Sequence, residues 1–236
     1  MKYSIIVPCY NEEDNIYDLV GILEKVAGKR NVEFILVENG SIDNTRKVLE
    51  DACTGKALFK IVPVDINRGY GYGIISGMRA ATGDYIGWIH ADLQISPNEM
   101  MKFVDYVERY GKDTELFMKG IRTKRNLIDH IFTGGMTVFV TLMLQCHLYD
   151  IGAIPVLFHR SLLKRLGSKT PYDFSIETYV YYQAKRSGMN IKRFKIKMKE
   201  RMKGESSWNK GILSKFRQSK VIMSDIIKIR KGIKVR

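Results

Sequence analysis

Apolar runs alternate with amphipathic segments through the first half of the chain. The runs predict five strands: YSIIVPCY, VEFILVEN, LFKIVPVDI, GDYIGWIHA and TELFMKGI. Between them, apolar residues at helical spacing predict four helices: EEDNIYDLVGILEKV, SIDNTRKVLEDAC, GYGIISGMRAA and PNEMMKFVDYVERY. The predicted N-caps of the first, second and fourth helices are Asn11, Ser41 and Ser96. Strands that alternate with helices and are apolar throughout predict a parallel sheet covered on both faces.

The second half is less regular. It predicts a helix at 126–147, a short strand and helix in IPVLFHRSLLKRL, and a helix in SIETYVYYQAKRSG that ends at Gly188. In RFKIKMKER, apolar and basic residues alternate, which predicts a strand with one apolar face. A last helix, at about 209–231, has an apolar stripe and a basic side. Such a helix can lie on an anionic bilayer or pack on the domain, and the pattern leaves both open.

The positive charge is concentrated at the C-terminal end. The formal net charge of the 236 residues is +14. Residues 192–236 hold 16 Lys or Arg and 3 Asp or Glu, which gives +13 and leaves +1 for residues 1–191. Such a tail favours an anionic membrane surface, a nucleic acid or a phosphorylated substrate, unless it only aids solubility. Few aromatic residues are interleaved with the basic ones, which disfavours nucleic acid.

Several classes of protein are excluded by composition. The three cysteines, none in a CxxC pair, form neither a disulfide framework nor a zinc site and indicate a reducing compartment. The N-terminal apolar run of about five residues is too short for a signal peptide, and no run reaches the ~20 apolar residues of a membrane span. We therefore expect a cytoplasmic protein.

Polar side chains follow each of the first four predicted strands. They are Asn11 and Glu12, Glu38 and Asn39, Asp65 and Asn67, and Asp92 and Gln94. The carboxyl ends of parallel strands meet at one edge of the sheet, and ligands bind beyond that edge. The sequence therefore predicts a binding site built from these four loops.

Two motifs lie in these loops. In HADLQ, residues 90–94, a carboxylate has further ligands one to two residues away, which suits Mg²⁺ or Mn²⁺ because these ions take few protein ligands. Helix capping is the alternative for Asp92, although Ser96 is better placed. His90 alone is more often packed than ligating. The glycines of NRGYGYG lack dinucleotide-fingerprint spacing, so they either let backbone approach a phosphate or form a tight turn.

Taken in order, the motifs resemble those of family 2 glycosyltransferases. SIIVPCYNEEDNI is similar to that family's opening strand and P-x-Y-N-E turn, and ILVENGSIDNT to its V-D-D-G-S-x-D-x-T segment. The stretch from NRGYGYG to HADLQISP resembles the run from N-x-G-x-G to D-A-D-L-Q-x-x-P, most closely that of dolichyl- or polyprenyl-phosphate sugar (mannose) transferases. The resemblance is strong over residues 3–123 and weaker in DIGAIPVLFHRSLL, FSIET and ERMKGESSW.

The resemblance implies a GT-A fold: an α/β, Rossmann-like, mostly parallel central sheet flanked by helices, with a basic amphipathic C-terminal helix. Residues 1–123 would form the nucleotide-sugar-binding half and 124–208 the acceptor-binding half of one domain. Residues 209–236 would form the C-terminal helix, with a possible membrane-surface contact.

The resemblance also implies roles for single residues on the donor side. The nucleotide-binding residues would be Pro8, Tyr10, Glu12, Glu38, Asn39, Gly69 and Gly71. The metal ligands would be Asp92, Gln94 and, if it coordinates, His90. Asn39 and His90 stand where the family has aspartates. Imidazole suits Mn²⁺ better than Mg²⁺, and an amide donates as well as accepts, so these two replacements bear on metal and nucleobase preference.

On the acceptor side, the resemblance implies that Arg122 faces the acceptor phosphate and that Arg201 and Ser206 close over the diphosphate. Glu177 would lie near the donor sugar or the acceptor. The catalytic set would then be Asp92, Glu177 and Arg201.

We therefore expect an inverting, metal-dependent transferase that moves a sugar from a nucleoside diphosphate to a polyprenyl (dolichyl or undecaprenyl) phosphate at the inner face of the membrane. Two alternatives stay open: a hydroxyl acceptor on a sugar, polysaccharide or modified nucleic acid, and a catalytically inactive nucleotide-sugar-binding protein. A membrane-protein partner or a homo-oligomer also stays open.

Overall fold

Seven strands form one sheet, in the order β3-β2-β1-β4-β6-β5-β7. The computed structural model describes residues 1–123, 127–167, 169–198 and 212–231. The strands are β1 (Tyr3–Cys9), β2 (Val32–Asn39), β3 (Phe59–Val64), β4 (Tyr85–Trp88), β5 (Leu116–Arg122), β6 (Val156–His159) and β7 (Asn190–Ile196). The helices are α1 (Ile16–Ala27), α2 (Thr45–Cys53), α3 (Tyr70–Ala80), α4 (Pro97–Tyr110), α5 (Leu127–Leu144), α6 (Ser175–Arg186) and α7 (Ile212–Arg230), with a 3₁₀ helix at Arg160–Arg165.

The sheet is mostly parallel. β1 pairs with β2 and β4, β2 with β3, and β5 with β7, all in parallel, whereas β6 runs antiparallel to both β4 and β5. The predicted α/β fold with a mostly parallel central sheet is confirmed. Both predicted halves of the domain contribute strands to this one sheet, and their division between donor and acceptor stays a prediction.

The strand order creates a crevice between β1 and β4. From β1 the chain moves outward to β2 and β3 and then returns to place β4 on the other side of β1. In an open α/β sheet, ligands bind outside the carboxyl ends of the strands at such a reversal. The topology therefore puts the loops after β1 and β4 on either side of the expected ligand.

The two faces of the sheet carry separate apolar cores. Successive residues of a strand point to opposite faces, so Ile5 packs with α1, α2 and α4, whereas Ile6 packs with α3, α5, α6 and α7. On the second face, α3 lies very close to β1, because a Cβ added at Gly77 would stand 2.4 Å from Cγ2 of Ile6. That glycine lets α3 pack directly against β1.

Two predicted caps are wrong and one is confirmed. α1 begins after Asn15 and α2 after Asn44, and neither residue forms a side-chain cap. Asn11 and Ser41 instead bond across the two loops: the backbone N–H of Asn11 donates to Oγ of Ser41 at 3.2 Å, and Oδ1 of Asn11 accepts from the backbone of Ile42 at 3.0 Å. Ser96 does cap α4, since its Oγ accepts from the backbone N–H of Asn98 at 3.4 Å.

The last helix packs on the domain. Ile226 and Ile229 of α7 are buried in the core on the α5 and α6 side, whereas Val221 is half exposed. The stretch after β6 forms a 3₁₀ helix where an α-helix was expected. Among the described helices, none has both the length and the apolar character needed to cross a bilayer.

Candidate functional site

Hydrogen bonds join the loop after β1 to the loop after β2. The backbone N–H of Glu12 donates to Oγ1 of Thr45 at 2.8 Å, and the carboxylate of Glu13 accepts from the backbone N–H of Asn44 at 2.9 Å. Glu38, which is buried, accepts from the backbone N–H of Ser41 at 2.7 Å. The first two contacts fix the two loops to one another at the carboxyl edge, and the third holds the loop after β2 in shape.

The loop after β2 is joined in turn to the loop after β3. The side-chain amide of Asn67 donates to the backbone carbonyl of Asn39 at 2.8 Å, and the amide of Asn39 donates to the carbonyl of Gly69 at 3.2 Å. Asn39 is only 2% exposed, and its Oδ1 has no hydrogen-bond partner in the described part of the chain. The side chain is therefore packed beneath α3, and its predicted contact with a nucleoside stays a prediction.

Gly69 and Gly71 contact protein backbone. A Cβ at Gly69 would stand 2.4 Å from the carbonyl oxygen of Tyr172, and a Cβ at Gly71 would stand 2.5 Å from that of Pro171. Gly69 also has a φ of +107°, which favours glycine. These contacts explain both glycines without a ligand, and their predicted approach to the nucleotide remains untested.

Asp92 lies in a turn just beyond β4 and is half-buried. Its Oδ1 accepts from the backbone N–H of Gln94 at 3.1 Å, and Leu93 between them has a φ of +57°. Across the described ranges, no three His, Cys, Asp or Glu side chains are grouped to hold a metal ion. The residues present fit only an ion that draws its other ligands from water and phosphate, which is how Mg²⁺ is usually bound.

His90, Tyr70 and Glu177 form a hydrogen-bonded chain beside this turn. The hydroxyl of Tyr70 lies 2.8 Å from Nε2 of His90 and 3.1 Å from Oε1 of Glu177. The Tyr70 ring stacks on Phe174, with centroids 4.5 Å apart, and meets His90 edge-on. Burial, followed by the Glu177 carboxylate and then Asp92, raises the pKa of Tyr70, so the phenol keeps its proton.

Arg122, at the end of β5, is held by Asp150. The backbone N–H of Arg122 donates to Oδ2 of Asp150 at 2.9 Å, and its guanidinium donates to Oδ1 from Nε at 3.1 Å and from Nη2 at 2.5 Å. Gly152 follows closely: a Cβ there would stand 3.8 Å from Nη2 of Arg122 and 3.7 Å from Oε2 of Glu177. A guanidinium and a carboxylate thus border the same exposed glycine.

Lys119 lies beneath this loop and is fully buried. Its Nζ donates to the carbonyl oxygen of Ile151 at 2.9 Å and to that of Ala153. Desolvation by burial lowers the pKa of Lys119 to about 8, although the carboxylates of Glu177 and Asp150 act in the opposite direction. The lysine ties the 151–153 backbone to β5, and so fixes the position of Gly152.

Of the remaining predicted site residues, three lie at the end of β1 or in the loop after it, and two lie outside the described residues. Pro8 is half-buried on β1, Tyr10 just after β1 is 44% exposed, and Glu12 accepts from the side-chain amide of Asn15 at 2.5 Å. Arg201 and Ser206 lie outside the described residues. Met198, the last described residue before them, forms an isolated bridge with Ile95, three positions after Asp92.

Three residues that the structure brings to the candidate site were not predicted from the sequence: Tyr70, Lys119 and Asp150. Two of them carried a signal. Tyr70 lies inside the NRGYGYG motif, where only the glycines were considered, and Lys119 is the one charged residue of the apolar run LFMKGI. A lysine in a strand that is buried on both faces needs internal acceptors. Nothing local distinguishes Asp150.

The fold and the site together define a class: an α/β domain whose consecutive strand-end loops are bonded into one polar surface, as in nucleotide-binding sheets. The chain belongs to glycosyl transferase family 2, whose sequence pattern matches residues 4–148. The predictions of this family and of its GT-A fold are confirmed.

Two curated relatives illustrate the similarity. An uncharacterized glycosyltransferase of Bacillus subtilis (strain 168), YkcC, is 29% identical over 194 residues, which cover 78% of this chain and 58% of that protein. The undecaprenyl-phosphate 4-deoxy-4-formamido-L-arabinose transferase of Klebsiella pneumoniae (strain 342) is 32% identical over 148 residues, 61% of this chain and 43% of that protein. The chain thus spans about half the length of the curated relatives it matches, or less.

A solved structure shares the fold. Glucosyl-3-phosphoglycerate synthase from Mycobacterium tuberculosis, in complex with Mn²⁺, UDP and glucosyl-3-phosphoglycerate, superposes with a TM-score of 0.71 at 17% identity, covering 98% of this chain and 80% of that one. A further structure of that enzyme contains Mg²⁺ and UDP. At this identity the likeness establishes the fold alone.

Proposed function

We propose that this chain is an inverting, metal-dependent glycosyltransferase that moves a sugar from a nucleoside diphosphate to a polyprenyl phosphate. The observation that carries the proposal is the unbroken series of hydrogen bonds among loops. It runs from the loop after β1 to those after β2, β3 and β4, and on to the start of α6. Such a rigid polar edge at a strand-order reversal suits a diphosphate donor.

On the donor side, Asp92 and Gln94 would hold the metal ion, and Tyr10 offers an exposed ring to the nucleobase. A bound Mg²⁺ or Mn²⁺ would supply positive charge to stabilise the departing diphosphate. The Mycobacterium synthase, which shares the fold, has been crystallised with UDP and either ion. That supports a donor of the same chemical class for this chain.

On the acceptor side, the guanidinium of Arg122 binds the acceptor phosphate. Asp150 orients that guanidinium through two of its nitrogens, which leaves it partly exposed, at 27% of its side chain. A phosphate monoester is already largely ionised at neutral pH, with a second pKa near ~6. It therefore attacks the anomeric carbon without a general base, and the sugar inverts in one in-line displacement.

The second candidate keeps the donor and changes the acceptor to a hydroxyl. Glu177 favours it, because this carboxylate is 5% exposed and borders Gly152 at the same surface as Arg122. A hydroxyl acceptor needs a carboxylate to take its proton. The undecaprenyl-phosphate transferase of Klebsiella supports the first acceptor, and the phosphoglycerate product bound to the Mycobacterium synthase is the reason to test the second.

We also propose peripheral attachment at the inner face of an anionic membrane. α5 and α7 pack against each other and expose apolar side chains, Val138 and Leu142 on α5 and Val221 on α7. The +13 segment at 192–236 includes α7, and each basic residue near an anionic surface is worth about 1 kcal/mol. The two features together favour a bilayer partner over nucleic acid.

The donor is identified first. A thermal-shift screen of nucleoside diphosphates and their sugars, with and without Mn²⁺, finds the ligand that stabilises the native state by mass action. Transfer from that donor to undecaprenyl phosphate is then measured with wild type and Asp92→Ala. We expect wild type to transfer the sugar only when the metal ion is present, and we expect no transfer by Asp92→Ala. No transfer and no hydrolysis by wild type would favour an inactive, nucleotide-sugar-binding protein.

Glu177→Gln separates the two acceptors. If Glu177 acts only as a base, the variant should nearly abolish transfer to a hydroxyl and leave transfer to a phosphate largely intact. Equal loss with both acceptors would contradict a base-only role.

Membrane attachment is tested by co-sedimentation with vesicles that contain anionic lipid. Binding that weakens as salt rises, and that falls further in Leu142→Asp, is expected. Tyr17, on α1, is 60% exposed and lies on the other face of the sheet, so Tyr17→Asp is the matched control and should leave vesicle binding unchanged. An absence of binding, or binding insensitive to salt, would refute the proposal.

A further inference from the structure

Tyr70 joins three elements that are distant in sequence. It is the first residue of α3, His90 follows β4, and Glu177 lies in the first turn of α6. Its hydroxyl is 2.8 Å from Nε2 of His90 and 3.1 Å from Oε1 of Glu177. The ring itself is fixed by stacking on Phe174. One phenol oxygen therefore serves two side chains at the candidate site.

The hydrogen-bonding capacities of these groups determine where the protons lie. A carboxylate only accepts, whereas a phenol has one proton to donate and can also accept. Tyr70 therefore donates to Glu177, and its oxygen accepts the proton on Nε2 of His90. The reverse arrangement, with Tyr70 donating to His90, would leave the phenol and carboxylate oxygens facing each other without a proton between them.

We propose that Tyr70 is a positioning residue for the transfer reaction: its hydroxyl fixes the Glu177 carboxylate by one oxygen and holds His90 with its proton on Nε2. The inference rests on the proposed function. Two consequences follow for the surface offered to substrates. Oε2 of Glu177 is the oxygen directed to the space over Gly152, and Nδ1 is the nitrogen that neutral His90 presents to a ligand.

The variant Tyr70→Phe removes the hydroxyl and keeps the ring that stacks on Phe174. Tyr72→Phe is the matched control, because Tyr72 lies two positions further along the same helix and packs edge-on against Tyr172. Both variants are compared with wild type as the full chain. Thermal unfolding checks that each is folded.

The first readout needs no substrate. In protein labelled with ¹⁵N-histidine, the Nε2 proton of His90 is expected as a slowly exchanging, downfield resonance, assigned by its loss in His90→Gln. It should vanish in Tyr70→Phe, because the exposed third of the His90 side chain then lets the proton exchange with water, and it should persist in Tyr72→Phe. Absence of the resonance from wild type, or its survival in Tyr70→Phe, overturns the proposed chain.

The second readout is transfer. With a hydroxyl acceptor, for which Glu177 is the base, kcat should fall about tenfold in Tyr70→Phe because a hydrogen bond to a charged group is lost, with little change in the KM of the donor and no change in Tyr72→Phe. A phosphate acceptor needs no base, so transfer to it should stay near the wild-type rate in Tyr70→Phe. An unchanged kcat with the hydroxyl acceptor despite a lost resonance, or transfer to a phosphate alone, means that the bridge is only structural and overturns the positioning role. If wild type has no transferase activity, the proposed function fails and the positioning role fails with it, while the resonance still decides the hydrogen-bond chain.

Should Tyr70→Phe not fold, Glu177→Gln replaces it in the first readout. A neutral amide accepts more weakly than a carboxylate, so the Nε2 proton of His90 should shift upfield. An unmoved resonance would contradict a chain that runs through Tyr70.

Discussion

Lys119 gives the sharpest test of the buried network. Its pKa in the folded protein is about 8 because burial disfavours the ammonium, whereas a lysine in an unfolded chain titrates near 10.5. Between these two values the unfolded state binds more protons than the native state, so stability rises with pH. Below pH 8, this difference between the folded and unfolded pKa lowers the stability of the protein by about 3 kcal/mol, and from pH 7 to pH 10 wild type should recover roughly 2 to 3 kcal/mol of that stability.

The perturbation is Lys119→Met, which fills a similar volume without a charge. At pH 7 two opposing effects act: the variant loses the burial cost of the ammonium, and it leaves the carbonyls of Ile151 and Ala153 without their donor, at about 1–3 kcal/mol each. The absolute change at pH 7 is therefore small or destabilising. The difference in the free energy of unfolding between wild type and Lys119→Met changes with pH only through the titration of Lys119, so its pH dependence isolates that titration.

The assay is urea unfolding at pH 7 and pH 10, followed by tryptophan fluorescence, to which the buried Trp88 contributes. The stability of wild type relative to Lys119→Met should rise by roughly 2 to 3 kcal/mol over this range. Lys47→Met, at an exposed lysine of α2, controls for the loss of charge itself and should show a flat difference. An equally flat difference for Lys119→Met would refute the burial of a charged lysine beneath the site.

Three further results are expected. Gly77→Val should destabilise the fold by about 1–3 kcal/mol in urea unfolding, since its Cβ would overlap Ile6. Glu33→Gln should lower the free energy of unfolding by about 1–2 kcal/mol at neutral pH in the same assay. Desolvation raises the pKa of Glu33, but hydrogen bonds led by that from Ser4 outweigh it and lower the pKa to about 2. The loss of stability should therefore disappear as pH falls from 4.5 toward 2. Gly152→Ala should unfold like wild type, because its Cβ has only ordinary contacts, yet raise the KM of the acceptor and not of the donor.

Much of the fold follows from local patterns. The first five strands and the four helices between them were predicted because the spacing of apolar residues within each segment indicates its secondary structure. The position of β6 was not, because its antiparallel insertion between β4 and β5 depends on pairing across many residues. The predicted caps at Asn11 and Ser41 are wrong for the same reason. Each residue was assigned to the helix that follows it in the sequence, whereas in the structure the two residues bond to each other across two loops.

The candidate site was predictable in its strand-end loops and less so beyond them. Asp92 was predicted as a site residue because a carboxylate follows an apolar strand, which is a purely local signal, and its role as a metal ligand stays a prediction. Tyr70 and Lys119 act through contacts that span 107 and 32 residues, and no spacing rule reaches across such distances. The roles of Arg201 and Ser206 stay predictions.

The central claim is that loops at the carboxyl edge of the sheet bind a nucleoside diphosphate through a divalent cation. Calorimetric titration of the best nucleoside diphosphate from the screen, in Mn²⁺ and in EDTA, tests it most directly, with wild type beside Asp92→Asn. We predict affinity at least about tenfold higher with Mn²⁺ for wild type, a difference of about 1.4 kcal/mol, and no such gain for the variant. Equal affinity with and without the ion, or the same gain in Asp92→Asn, would contradict the account.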